Sequence, residues 1–348
     1  MAADPSWALH WTVLCPQLGS PTRRPASDCF ARPGQGLFGP ARSRPIAASR
    51  VFVDLTPLRV SPDYRRLYTG QAVSFLGRQL TLVAAPVQVF AVTGSSVQVG
   101  LLGLVQLPPL LVGSLIGGSL ADAHDRRRLL LIAQVLLLGC SLGLAINAQG
   151  GNGHLWPVFV LTAAQAALSG LDSPTRNAAT PSLVGADHLT AANALNQILY
   201  QVGGVTGPAI AGLLIDQVGL AAAYWCDVAC FVVAIGLLVR LRPLPPAGGG
   251  RRAGMASIAE GLRYLRGRRA LQATFVIDVN AMVFGMPRAL FPALAESVFG
   301  GGARTVGLLY AAPGAGALVG AVASGWTNRV KHPGRAVLIA VVVWGLAT

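Results

Sequence analysis

The sequence predicts an all-α, polytopic membrane protein, and three observations carry that prediction. Of the 348 residues, 53% are hydrophobic and only 11% are charged, against about 25% charged in soluble domains. The mean hydropathy of +0.56 excludes both an ordinary soluble enzyme and a largely disordered chain. Apolar runs long enough to cross a bilayer recur along the chain, and basic residues gather in alternate connections between them.

Residues 1–55 precede these runs and read differently. They are rich in Pro and Arg (PTRRPASDCFARPGQGLFGPARSRP) without sustained periodicity, the composition of a disordered, solvated tail. The apolar stretch WALHWTVLC is broken by His10 and has no basic segment before it, so it does not read as a signal peptide. A start codon placed upstream of the true one would account for it. Five cysteines, Cys15, Cys29, Cys140, Cys226 and Cys230, give no paired framework and no C-x-x-C spacing. They read as unligated, and neither a metal site nor a cofactor is expected.

A spanning helix needs about 20 mostly apolar residues to cross ~30 Å of hydrocarbon. Such segments lie at Leu67–Val92, Val97–Ala121, Leu129–Ala148, Pro157–Thr180, Ala191–Ile215 and Val218–Val239, then at Ala270–Leu294 and Val306–Trp326. A ninth begins at Ala336 and is still apolar at Thr348, so the chain reads as stopping inside a helix. Between the sixth and seventh spans runs a Pro/Gly linker, RLRPLPPAGGGRRAG. It is followed by MASIAEGLRYLRGRRAL, in which Ile258, Leu262 and Leu265 share one helical face beneath a basic one, the pattern of an interfacial helix. The expected organisation is a tail (1–55), a six-helix N-terminal bundle (56–240), a cytoplasmic linker (241–269) and a partial C-terminal bundle (270–348). Transporters built from two repeated halves are organised this way.

Net charge is +14, and Lys331 is the sole lysine. Charge of this size raises the question of a nucleic-acid partner, but its distribution answers it. Arg59, Arg65, Arg66, Arg126 to Arg128, the Arg-rich stretch 240–269, Arg329, Lys331 and Arg335 all fall on one side of the alternating spans. The opposite connections carry only Arg304. Basic residues stay on the cytoplasmic side, so the N-terminus is expected there, in the plasma membrane, with anionic lipid headgroups as partners and no nucleic acid.

The most specific string is GGSLADAHDRRRLLL, Gly117 to Leu131, between the second and third spans. It resembles the cytoplasmic loop signature of the major facilitator superfamily, G-x-L-a-D-r-x-G-r-r. Gly118, Leu120, Ala121, Asp122, Arg126 and Arg127 stand at matching positions, and Asp125 stands where many members have Gly. An ordinary basic loop is the alternative. In physical terms Gly118 is expected to let helices pack closely, Asp122 to end the second span, and Arg126 and Arg127 to meet phosphates or helix C-termini.

The segments APVQVFAVTGSSVQVGLLGL, ATPSLVGADHLTAANAL, GPAIAGLLID, LFPALAESVF and VGLLYAAPGAGALVGAVASGW extend the resemblance along nearly all of 55–348. It is best to the branch of drug and siderophore exporters that includes drug:proton antiporters. Gly203, Gly207 and Pro208 (GGVTGPAIAG) resemble the glycine-proline motif of superfamily antiporters, though plain helix packing gives such runs too. GAGALVG, from Gly314, has no preceding strand and reads as packing. A second, weaker copy of the loop signature, Gly325 to Arg335, carries Arg329 where the first has Asp122. Family members have twelve spans, so the resemblance implies that the last three are missing here. It also implies substrate bound near the midplane between spans 1, 4, 7 and 10.

Ionisable residues inside spans are costly and are functional candidates by default. They are Arg78 in the first span, Asp172 and Arg176 in the fourth, Asp227 in the sixth, and Asp278 and Arg288 in the seventh. Asp172 and Arg176 are four apart and spaced to pair. Alternatively Arg176 reaches Asp122 and makes a cytoplasmic gate. Asp278 is the first expectation for a proton-carrying carboxylate. The expected function is a monomeric secondary exporter that moves a small amphipathic compound outward in exchange for protons. A non-transporting remnant of such an exporter is the second reading. A membrane-embedded enzyme is remote, because H-E-x-x-H and G-x-S-x-G are absent and His10, His124, His154, His188 and His332 fall in the tail or loops.

Overall fold

Ser61 opens the first long helix: its hydroxyl accepts from the Tyr64 amide at 3.2 Å, Pro62 occupies the first turn, and Asp63 complements the positive end of the dipole. The computed structural model describes residues 54–149, 154–245, 287–323 and 333–347, with isolated positions between 266 and 277. A short helix, α1 (Thr56–Val60), precedes α2 (Pro62–Thr93), α3 (Ser96–Ala123), α4 (Arg126–Gln149), α5 (Leu155–Val184), α6 (Leu189–Gln217) and α7 (Leu220–Val239). A 3₁₀ turn (Arg288–Leu290) then leads into α8 (Phe291–Ser297), followed by α9 (Ala303–Ala323) and α10 (Pro333–Ala347). Among the described residues, α2 to α7 are the six helices long and apolar enough to cross a membrane. They match the six spans of the first half, each observed helix running up to five residues past the expected ends or starting within two of them. The linker helix and the second loop copy at Gly325 and Arg329 lie outside the described residues.

The turns use the local chemistry of the chain. Gly94 ends α2 at φ 61°, a left-handed conformation that favours glycine. Asp125 starts α4 by accepting the amides of Arg127 at 2.8 Å and Arg128 at 3.3 Å. The seventh expected span differs from the sequence reading. Its described end is not continuous helix, because Pro287 and Pro292 lack amide hydrogens; a 3₁₀ turn follows Pro287 and α8 restarts around Pro292, ending at Ser297 rather than Leu294.

α2 packs on α6 and α7, α3 on α5, α4 on α5 and α7, and α6 on α9. Glycine makes the tightest of these contacts. A Cβ on Gly170 would strike the Leu110 carbonyl oxygen, and one on Gly113 would strike the Ala167 carbonyl oxygen. A Cβ on Gly117 would lie 2.6 Å from the Leu171 Cα. The packing role expected for Gly118 therefore belongs to Gly117: around Gly118 nothing lies within 4 Å of an added Cβ. One residue turns a helix by about 100°, and in a helix apolar on every side the sequence does not reveal which glycine faces the partner.

Gly203 and Gly207 do pack as expected, beneath the Phe75 ring and the Gln79 side chain of α2. The next turn of α6 faces α9, where a Cβ on Gly307 would meet the Pro208 carbonyl oxygen at 2.5 Å and the Gly212 Cα at 2.7 Å. Of the glycines at 314, 316 and 320, only Gly314 has a close neighbour, Val205 at 2.9 Å. Outward faces remain apolar. Only 17% of the apolar window of α3 is buried, leaving Leu104, Leu107, Leu111 and Leu115 exposed. A stripe of that size is stable against lipid and not against water.

Candidate functional site

Two buried charge clusters and two adjoining cavities organise the bundle. In the first cluster, Asp172 of α5 is fully buried and accepts from Arg176 Nε at 2.8 Å and from Gln134 Nε2 of α4 at 3.1 Å. Arg78 of α2 stands 3.5 Å from the same carboxylate. The expected i,i+4 pair thus exists, and it is extended by a cation from another helix. The alternative partner, Asp122, stands exposed in the last turn of α3 and makes no ion pair among the described residues. Arg176 keeps two buried guanidinium nitrogens without a hydrogen-bond partner, so three helices are tied around one carboxylate and two cations.

In the second cluster, Asp227 of α7 is wholly buried. One of its oxygens accepts hydroxyl protons from Thr81 of α2 and Ser141 of α4, each at 2.7 Å, and Gln165 of α5 donates to the Ser141 oxygen at 2.9 Å. The other carboxylate oxygen has no hydrogen-bond partner. Gly77 makes room for this group, since a Cβ there would lie 2.5 Å from Asp227 Oδ1.

Both acids sit one side chain behind the wall of a cavity of about 710 Å³, within the ~300–1,000 Å³ typical of small-molecule sites. Arg78, Thr81 and Gln165 are part of that wall, with Phe75, Leu82, Val99 and Leu102 on its apolar side and Ser169, Ser173 and Asn177 on its polar side. Arg288 and Tyr310 close it from the chain beyond residue 286. Tyr310 holds this part in place: its hydroxyl donates to the Arg288 carbonyl at 3.3 Å, and its ring meets Phe291 edge to face at 5.1 Å. A second cavity of about 550 Å³ shares Gln79, Leu82, Arg288 and Tyr310 and reaches Pro208 and Gly314.

The α3–α4 loop is built from arginines bound to helix ends. Arg126 donates to the Ala121 carbonyl at 3.3 Å and to the Ser182 hydroxyl at 3.1 Å, and Arg127 reaches the Val239 carbonyl at the end of α7 at 2.6 Å. Asp125 also accepts the Leu244 amide at 3.3 Å, while the Arg126 amide donates to the Leu244 carbonyl at 3.0 Å. The segment after α7 is thereby stitched to this loop. Gly203, Gly207 and Pro208 are buried in helix packing, and Gly118 is open. Asp278 lies outside the described residues.

Sequence reasoning did not single out Thr81, Gln134, Ser141 and Gln165, which hold the two acids. Their signal was present: amides and hydroxyls inside apolar spans are read as polar glue between helices. Asp125 had one too, an acidic residue directly ahead of an apolar helix.

A multi-pass bundle of apolar helices around a cavity of this size, part polar and part apolar, suits a membrane transporter of small molecules. Residues 53–348 match the family of transmembrane secretion effectors, within the major facilitator class, and the chain belongs to it. It is similar to the enterobactin exporter EntS of Shigella boydii, 30% identical over 290 residues that cover 83% of this chain and 70% of that protein. Identity and coverage are the same for EntS of Escherichia coli O139:H28 and of Escherichia coli O9:H4. The class is therefore that of efflux transporters.

Proposed function

We propose that this protein exports a small amphipathic compound, a siderophore or a drug, by alternating access in exchange for protons. The observation that carries the reading is the placement of Asp227. A buried carboxylate whose hydrogen-bond donors include the cavity-lining Thr81 can gain or lose a proton through the cavity without being solvated itself. Asp227 and, beyond the described residues, Asp278 are the two candidates for that proton. Arg78, Asp172 and Arg288 complete the pathway.

In this reading residues 56–240 form one rocking unit, 241–269 a cytoplasmic linker and 270–348 part of the second unit, with the tail 1–55 outside them. The distribution of arginines supports a plasma-membrane protein whose N-terminus is cytoplasmic and whose basic loops face anionic headgroups. Gly118, Asp122, Arg126 and Arg127 then belong to a cytoplasmic latch, with Arg176 behind it. Support comes from Arg127, whose bond to the α7 carboxyl end joins two helices that a rocking motion would have to move together. In this reading the transporter works as a monomer.

The experiment is accumulation of carboxyfluorescein and ethidium in cells lacking their main exporters, with and without the 348-residue chain and a protonophore. Lower accumulation of at least one dye, restored by the protonophore, is expected. Equal accumulation with and without the chain would overturn the export reading. Asp227→Asn is expected to remove the dependence of export on external pH at unchanged membrane abundance.

A further inference from the structure

We infer that the cavity is an anion site: it takes amphipathic compounds bearing a carboxylate or a comparably delocalised negative group, held between Arg78 and Arg288. This rests on the export reading and adds the chemical class of its substrate. The charged side chains that line the main cavity are Arg78 and Arg288, and Arg288 lines the adjoining one as well. No acidic residue lines either cavity among the described residues. At the described wall a cationic compound meets two guanidinium groups, with the carboxylates of Asp172 and Asp227 set one side chain behind it. An anion meets two partners of the geometry that binds carboxylates bidentately.

Asp172 does not neutralise this field. It lies behind Arg78 at 3.5 Å and is held more closely by Arg176 at 2.8 Å, so one carboxylate is shared between two cations, and Arg288 has no carboxylate partner among the described residues. Arg78 has five N–H donors and makes no hydrogen bond among the described residues, so donors remain for a ligand. Its guanidinium stands 5.9 Å from the centroid of the Phe75 ring, which helps fix its position. Arg288 makes no ion pair among the described residues, and its backbone is anchored by Tyr310. The rest of the wall suits the remainder of such a molecule: Leu82, Val99 and Leu102 meet an apolar body, and Gln165, Ser169 and Asn177 offer donors to its polar edge.

The test is direct binding to the purified full chain in detergent, read by fluorescence anisotropy, with carboxyfluorescein as the anionic probe and ethidium as the cationic one. Carboxyfluorescein is expected to bind and ethidium to bind at least tenfold more weakly. Arg288→Gln is expected to raise the Kd for carboxyfluorescein by about tenfold to a hundredfold, the range for losing one charge-assisted contact, and Arg288→Lys to restore part of it. Arg288 is exposed on the cavity wall, so its variants are expected to fold, which their elution profiles check. Arg78→Gln is a second variant, read against the same probe with its elution profile as the folding control. Ethidium bound as tightly as carboxyfluorescein, or unchanged anion affinity in both Gln variants, overturns the inference. Anion binding without export in cells would leave the site assignment standing and remove the export reading, whereas export of ethidium alone would do the reverse.

Discussion

A single buried carboxylate holds α2, α4 and α5 together, and its removal has a cost that can be stated. Asp172→Asn would leave Arg176 and Arg78 without their counter-charge in a site where Arg176 already has two nitrogens without partners. Breaking a buried ion pair from one side costs about 3–5 kcal/mol, so the variant is expected to lose most of its folded yield and to show a markedly lower Tm. Asp172→Asn combined with Arg176→Met removes both charges at similar volume and is expected to recover much of that loss. Thermal unfolding of the two purified proteins checks this, and a double variant no more stable than the single one would mean that Asp172 serves chiefly Arg78. The near half of this cluster was legible in the sequence, because residues four apart on a helix meet. Arg78 was not, since no local spacing links residue 78 to residue 172; only the folded bundle brings α2 beside α5.

Among the elements, the contact between α3 and α5 depends on glycine at three positions, and a contrast of substitutions separates packing from motif. Gly113→Ala and Gly170→Ala place a methyl against backbone of the opposite helix, which cannot move aside as a side chain would. Each is expected to destabilise by about 1–3 kcal/mol, read as a fall in Tm. Gly118→Ala meets nothing inside a helix and is expected to leave Tm unchanged or raise it slightly. Arg127→Ala removes the bond to the α7 end and is expected to cost about 1 kcal/mol, part of it recovered by Arg127→Lys. The six long helices were legible because a bilayer-spanning run of apolar residues has no competing explanation at this length. Their ends extended a few residues further, since caps such as Ser61 and Asp125 recruit polar residues that a hydropathy reading leaves out. Which face of each helix meets a neighbour was not legible. Lipid is as apolar as the core, so the inside and outside of such a helix look alike in sequence.

For the whole molecule, the sign of the substrate's charge decides how export is driven. A negative cell interior favours the outward movement of an anion by about 2.3 kcal/mol per charge per 100 mV, an accumulation ratio of about fiftyfold before any proton is used. If a proton enters as the anion leaves, each cycle moves two charges in the favourable direction, and transport is steeply voltage-dependent. If instead one proton leaves for each negative charge on the anion, charge cancels and voltage has no effect. Carboxyfluorescein transport by the chain in proteoliposomes, with the potential set by a potassium gradient and valinomycin, distinguishes these cases. The rate is expected to rise severalfold as the side losing the dye is made negative, and to fall when the polarity is reversed. A rate independent of potential would show the anion leaving with as many protons as it carries charges, and exchange would then be the wrong mechanism even though the cavity binds anions. Asp227→Asn sharpens the result: a variant that still moves the dye down the electrical gradient, and no longer responds to pH, has kept its arginine site and lost its proton.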